Sequence, residues 1–183
     1  MGSITGFRRF IRSKPFTLLI LLTFLVVLFT ILSGGSFFTV YNLSVILNSM
    51  TVVVFLTIGQ AFLLILGNID LSSGNVGTLG SICLCIAVTN WGMPWWCGLI
   101  FAILVGTVCG LINAVMVNEL NFQPFIATLA MSSVAQGLTY VITNGTSVAL
   151  NDSVWAIIGT KSIGVVPVGV IIAMLFLTVY GII

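Results

Sequence analysis

Three carboxylates, Asp70, Glu119 and Asp152, are the whole acidic complement of this 183-residue chain, and they stand far apart in a sequence that has no histidine. General acid–base catalysis and metal-assisted chemistry need such groups gathered in one place. No glycine-rich phosphate loop follows a strand pattern either. The sequence therefore holds no enzyme constellation, and neither a cofactor nor a nucleic-acid partner is expected. Cys83, Cys85, Cys97 and Cys109 lie in or beside apolar runs without a CxxC spacing, and they read as small packing residues.

Two stretches carry the polar chemistry that remains. The first is Asn68-Ile69-Asp70-Leu71-Ser72-Ser73-Gly74. A helix starting here would present unpaired N–H groups, which Asp70 or the hydroxyls of Ser72 and Ser73 would cap, the carboxylate also complementing the helix dipole. Alternatively, Asp70 and its neighbours face a hydrated route, because an ionisable group beside a membrane span needs a partner or a cavity. The second stretch is Gln123-Pro124-Phe125-Ile126-Ala127-Thr128-Leu129. Pro124 suits the first position of a helix, and Gln123, Pro124, Phe125 and Thr128 join Asn68, Asp70, Ser72 and Ser73 as candidates for lining a solute pathway. Such a pathway needs no catalytic apparatus. It needs broken helices with free backbone groups, a few polar side chains, and small residues where helices slide.

The elements that position these residues are membrane helices. Of the residues, 60% are hydrophobic and only 4% charged, against about 25% charged in soluble domains. No Lys, Arg, Asp or Glu lies between Lys14 and Asp70, between Asp70 and Glu119, or after Lys161. A span needs about 20 residues to cross a hydrocarbon core of about 30 Å, and in lipid only a helix pairs every backbone group within its own segment. Apolar runs at 16–32, 43–66, 76–89, 95–117, 125–142 and from 165 onward predict about six spans in a single transmembrane domain over 1–183. The chain is broken near Asp70 and near Pro124, either at surface turns or at re-entrant breaks. The fold class is all-α, a polytopic transmembrane helix bundle.

Four of the five basic residues precede the first run. That run is longer than a signal-peptide core and is followed by further spans, so it reads as an uncleaved helix with a cytoplasmic N-terminus. Six crossings then return the C-terminus to the cytoplasm and leave 143–164 outside, long enough for a folded loop. Trp91, Trp95 and Trp96 suit a headgroup region. Within the spans, Asn48 and Gln60 prefer a neighbouring helix to lipid. Ala102, Gly106 and Gly110 recur every fourth residue, as do Ser133 and Gly137, and both sets are expected to be helix-packing faces.

The same two polar stretches carry a resemblance. Ile69-Asp70-Leu71-Ser72-Ser73-Gly74 is similar to the IDLSVG-type motif, and Gln123-Pro124-Phe125-Ile126-Ala127-Thr128-Leu129 to the PPFIATL motif, of the permease subunits of bacterial sugar ABC importers of the ribose, xylose, arabinose and galactose type. Gly110-Leu111-Ile112-Asn113-Ala114 resembles their GLING-type run, and Gln136-Gly137-Leu138 stands where Arg-Gly-Leu is usual. Ser73 replaces a common valine, Asn68 a frequent glycine and Gln136 the usual arginine. Order and separation agree over nearly all of the chain. The resemblance implies the N-terminal portion of a multi-pass permease in the bacterial cytoplasmic membrane. The segment that docks on the ATPase would lie beyond Ile183, so the chain resembles a fragment or a truncated product. Its implied partners are membrane lipid, a second permease subunit (identical or different), a cytoplasmic ATP-binding subunit that hydrolyses ATP, and a periplasmic or lipid-anchored sugar-binding protein. Two other readings stand beside it: an ion-coupled secondary transporter, whose broken helices look alike in sequence, and a non-transporting membrane anchor or assembly subunit.

Overall fold

A computed structural model describes residues 14–150, 159, 161–163 and 166–180, and Asp152 lies outside the described residues. The chain divides into two compact units between Ile46 and Leu47. Six α-helices are described: α1 (Lys14–Leu32), α2 (Val40–Ile65), α3 (Ser73–Thr89), α4 (Trp95–Asn118), α5 (Pro124–Thr143) and α6 (Val168–Tyr180). A single 3-10 turn (Ser36–Phe38) follows α1, and one two-stranded antiparallel ribbon, β1 (Ser162–Ile163) with β2 (Val166–Pro167), precedes α6.

The first unit holds α1, the 3-10 turn and the start of α2. Gly34 and Gly35 take left-handed φ values of 59° and 90°, which let the chain reverse directly after α1. The Asn42 side-chain amide donates to the Phe37 carbonyl at 2.8 Å, fastening the turn to the next helix. Within α1 the hydroxyls of Thr23 and Thr30 donate to the carbonyls of Leu19 and Val26, four residues back. Thr57, Thr78, Ser81, Thr107 and Ser133 do the same on later helices. Hydroxyls satisfied by their own helix face lipid without an unpaired donor.

Outward surfaces of these helices are predominantly apolar, with Leu18, Phe24, Ile31, Val52, Leu64, Ile103, Leu111, Val141 and Leu175 among more than half-exposed side chains. In water such a surface would not persist; in a bilayer it is the solvated face. Four helices are long and apolar enough to cross a membrane, within Pro15–Leu32, Val40–Ile65, Trp95–Asn118 and Pro124–Thr143. At 17 residues, α3 rises only about 25 Å, and α6 has 13 described residues. The all-α polytopic bundle is thus observed, and the six apolar helices expected are present among the described residues, four of them of spanning length and two shorter.

In the second unit α3, α4 and α5 form the core. Most buried positions are small, the larger ones being two leucines and a methionine: Leu79, Gly80, Leu84 and Ala87 on α3, Gly98 and Cys109 on α4, Ala127, Thr128, Met131, Ser132 and Ala135 on α5. A β-carbon on Gly80 would stand 3.2 Å from the Ala102 carbonyl oxygen, and one on Gly98 would stand 2.8 Å from Val88 Cγ2 and 3.1 Å from the Leu84 carbonyl oxygen. Glycine at these two places is what lets α3 and α4 lie so close, the dispersion-driven packing expected where lipid removes the hydrophobic drive between helices.

Both interruptions have local causes. After α2, Gly67 adopts φ 76°, Asn68 N donates to the Leu63 carbonyl at 2.9 Å and Gly67 N to the Leu64 carbonyl at 3.0 Å. That is a Schellman end, which satisfies last-turn carbonyls of α2. After α4, Asn121 takes φ 54°, and Pro124 occupies the first turn of α5, where its missing N–H costs nothing. The helix after the first break begins at Ser73, three residues before the expected start at Val76, and α6 begins at Val168 rather than near 165.

Candidate functional site

The segment between α2 and α3 is held by side chains from three different helices. With the Gln60 amide oriented to satisfy both of its ends, Nε2 donates to the Asp70 carbonyl at 3.1 Å and Oε1 accepts from Asp70 N at 3.1 Å. From α4, Asn113 Nδ2 donates to Ser72 Oγ at 3.0 Å. From α5, the Thr128 hydroxyl lies 3.5 Å from the Ile69 carbonyl oxygen and makes its shorter bond, 2.8 Å, to its own helix at Pro124. Gln60 and Asn113 sit in largely apolar helices, where a polar side chain is retained when a partner awaits it.

Asp70 itself turns back on its own strand of chain. Its Oδ1 accepts from Ser72 N at 2.7 Å and from Ser72 Oγ at 2.6 Å. The carboxylate therefore serves the residue preceding α3, and Ser72, which stands at the N-cap with φ −89° and ψ −22°, makes no side-chain capping bond to the helix. Ser72 is 2% exposed, and its hydroxyl links Asp70 to Asn113. A second polar tie runs between α3 and α5, where Asn75 Nδ2 donates to Ser132 Oγ at 2.8 Å.

Two cavities flank this segment. The larger, about 570 Å³, runs along the α3–α4 groove and is lined by Asp70, Ser72, Ser73, Gly77, Gly80, Ala102, Gly106, Gly110 and Asn113 among others. The smaller, about 380 Å³, lies between the end of α2, α4 and the start of α5 and is lined by Leu63, Leu66, Asn68, Ile69, Asp70, Gly110, Asn113, Pro124 and Thr128 among others. Asp70, Gly110 and Asn113 border both. Both volumes fall in the range of roughly 300–1,000 Å³ occupied by small-molecule sites.

Of the candidate pathway residues, Asn68, Asp70, Ser72, Ser73, Pro124 and Thr128 border one cavity or both. Gln123 and Phe125 are exposed on the helix start, and the Gln123 carbonyl accepts the N–H groups of Ile126 and Ala127. Among the packing candidates, Ala102 meets Gly80. Gly106, Gly110 and Gly137 have open space where a β-carbon would stand, and Ser133 is exposed with its hydroxyl on Leu129 O. At Gly106 and Gly110 the small side chains leave room for the larger cavity instead of a neighbouring helix. Neither Asn113, quoted from sequence only within the Gly110–Ala114 run, nor Asn75 was given a pathway or packing role there. Asn113 lies three residues after Gly110, on the same helical face, and that spacing within an apolar run is the signal that would have found it. Among the described residues no three His, Cys, Asp or Glu side chains gather, and all four cysteines are free.

An apolar bundle with one broken, polar-lined segment between two cavities has the build of a polytopic membrane permease. Residues 42–183 match the family described as "Branched-chain amino acid transport system / permease component", and the chain belongs to that family. It is 34% identical over 136 residues to the galactofuranose transporter permease protein of Escherichia coli K12, covering 74% of this chain and 39% of that protein. It is 31% identical over 150 residues to the ribose import permease protein of Haemophilus influenzae, covering 79% and 46%, and 27% identical over 146 residues to the fructose import permease protein of Rhizobium meliloti, covering 79% and 41%. The chain thus spans less than half the length of these relatives. No solved structure matches it.

Proposed function

We propose that this chain forms part of the membrane pathway of an ATP-driven importer for a sugar. The observation that carries the reading is the Asn68–Ser72 segment. Hydrogen bonds to Gln60 and Asn113 hold it between two cavities, and the Ser72–Asp70 bond ties it internally, in a chain similar to permeases named for galactofuranose, ribose and fructose. Asp70, Ser72, Asn68 and Thr128 line the route. The rest of the machine is supplied by partners: a second permease subunit, a cytoplasmic subunit that hydrolyses ATP, and an extracytoplasmic binding protein that delivers the sugar. The assembly lies in the bacterial cytoplasmic membrane with the N-terminus inside.

Uptake of labelled pentoses and hexoses by cells with and without the gene tests this. Loss of uptake on ATP depletion, with persistence under an uncoupler while ATP is maintained, supports the reading. Uptake that survives ATP depletion and vanishes when the ion gradient collapses points to an ion-coupled transporter. No change in uptake on loss of the gene leaves a non-transporting anchor or assembly role.

A further inference from the structure

Asn113 and Asp70 are the two polar side chains that border both cavities, and the hydrogen-bonded chain Asn113–Ser72–Asp70 is the wall between them. The capacity of this wall can be counted atom by atom. The Ser72 hydroxyl spends its proton on Asp70 Oδ1 and accepts from Asn113 Nδ2. Asp70 Oδ1 also holds the Ser72 N–H. Two acceptor oxygens carry none of these bonds: Asn113 Oδ1, buried without any partner, and the second carboxylate oxygen of Asp70; one Asn113 N–H and one lone pair of Ser72 Oγ are also left over. A buried carbonyl oxygen with no donor is costly to maintain, and here it belongs to a residue that borders both cavities.

A wall with acceptors to spare is complementary to a solute that brings donors. A hard cation would need about six to eight oxygens around it, and no three carboxylate, imidazole or thiol side chains gather among the described residues. An anion would meet the charge of Asp70. An uncharged polyol meets neither obstacle: its hydroxyls donate to the two oxygens, and its carbon skeleton has the open faces of Gly77, Gly106 and Gly110 beside it. We propose that Asn113 and Asp70 form a hydroxyl-accepting subsite in this wall, through which an uncharged polyhydroxylated solute passes from one cavity to the other. This rests on the transport reading above and assigns to Asn113 a contact with the solute.

The test uses the full-length permease assembled with its partner subunits, and D-ribose, D-xylose, D-fructose and D-galactose as probes. Asn113→Ala is expected to raise the apparent KM for the transported sugar by about five- to tenfold, the effect of one lost hydrogen bond, whereas Thr107→Ala on the exposed face of α4 leaves it unchanged. In a background with all four cysteines replaced by alanine, Asn113→Cys is expected to react with a small methanethiosulfonate reagent, and the transported sugar to slow that reaction while equimolar sodium chloride does not. This second variant decides the matter if Asn113→Ala does not accumulate. Unchanged KM, or labelling that sugar does not slow, overturns the subsite while wild-type uptake keeps the transport reading intact. Protection by sodium chloride overturns it in favour of a cation. Absence of sugar uptake by the wild type removes the transport reading itself.

Discussion

The side-chain amide of Gln60 pairs with both backbone polar groups of Asp70, its nitrogen 3.1 Å from the Asp70 carbonyl oxygen and its oxygen 3.1 Å from the Asp70 nitrogen. One side chain thus replaces the backbone partners that Asp70 loses by lying between two helices. Irregular backbone buried among apolar helices persists where other protein groups take up its hydrogen bonds, and Gln60 does so here.

Gln60→Leu leaves both backbone groups of Asp70 without that partner. The expected cost is about 1–3 kcal/mol for the unsatisfied groups, a fall in melting temperature of several degrees for a protein of this size. Thermal unfolding in detergent measures it. Gln60→Glu, which retains an acceptor for the Asp70 N–H, should lose less than Gln60→Leu; equal losses would mean that the bridge does not form.

Asp70→Asn separates charge from hydrogen bonding. The asparagine oxygen still accepts from Ser72 N and Ser72 Oγ, so the local turn survives, while the charge facing the two cavities is gone. Uptake by the assembled importer is expected to fall about tenfold, equivalent to about 1.4 kcal/mol, with membrane abundance nearly unchanged. Normal transport by this variant would confine Asp70 to holding the turn before α3.

The glycines of α3 and α4 should divide sharply. Gly98→Val forces a β-carbon to within 2.8 Å of Val88 Cγ2 and 3.1 Å of the Leu84 carbonyl oxygen, and overpacking of that kind costs about 1–3 kcal/mol. Gly106→Ala and Gly110→Ala add a methyl group into open space and should leave detergent stability unchanged or slightly raised, since alanine favours helix by about 1 kcal/mol. If all three variants unfold alike, the open faces are not open in the membrane.

Much of this was legible in advance because lipid imposes a coarse rule. Uncharged runs of span length had to be helices, and α1, α2, α4 and α5 lie where the runs predicted them. The polar break around Asp70 was also legible, since Gly67 and the serines interrupt the apolar pattern. Hidden were the identities of the partners. Gln60 and Asn113 each stand in an apolar run and Ser132 beside Ser133 in a mixed one, and pairing across 10 to 57 residues is set by how helices cross, which no local spacing encodes. The apolar pattern predicts the start of α3 three residues late because Ser73, Gly74 and Asn75 are weak helix formers. The packing of that turn against α5, through Asn75 and Ser132, overrides their preference.

That last contact gives a prediction with a quantitative form. Asn75 Nδ2 lies 2.8 Å from Ser132 Oγ and 3.3 Å from the Ser132 carbonyl oxygen, and Ser132 is 9% exposed. Interhelical side-chain hydrogen bonds in membrane proteins average about 0.6 kcal/mol and reach about 1.7, because the unfolded chain in the membrane also finds partners. Two acceptors on one residue argue for the upper half of that range, but Ser132→Ala removes only the hydroxyl and leaves the carbonyl in place. A double-mutant cycle with Asn75→Ala and Ser132→Ala, read by reversible unfolding in detergent, should therefore return a coupling of about 0.6–1 kcal/mol. A coupling near zero would mean that the carbonyl alone holds Asn75, and that α3 begins at Ser73 by virtue of a backbone contact no serine substitution can remove.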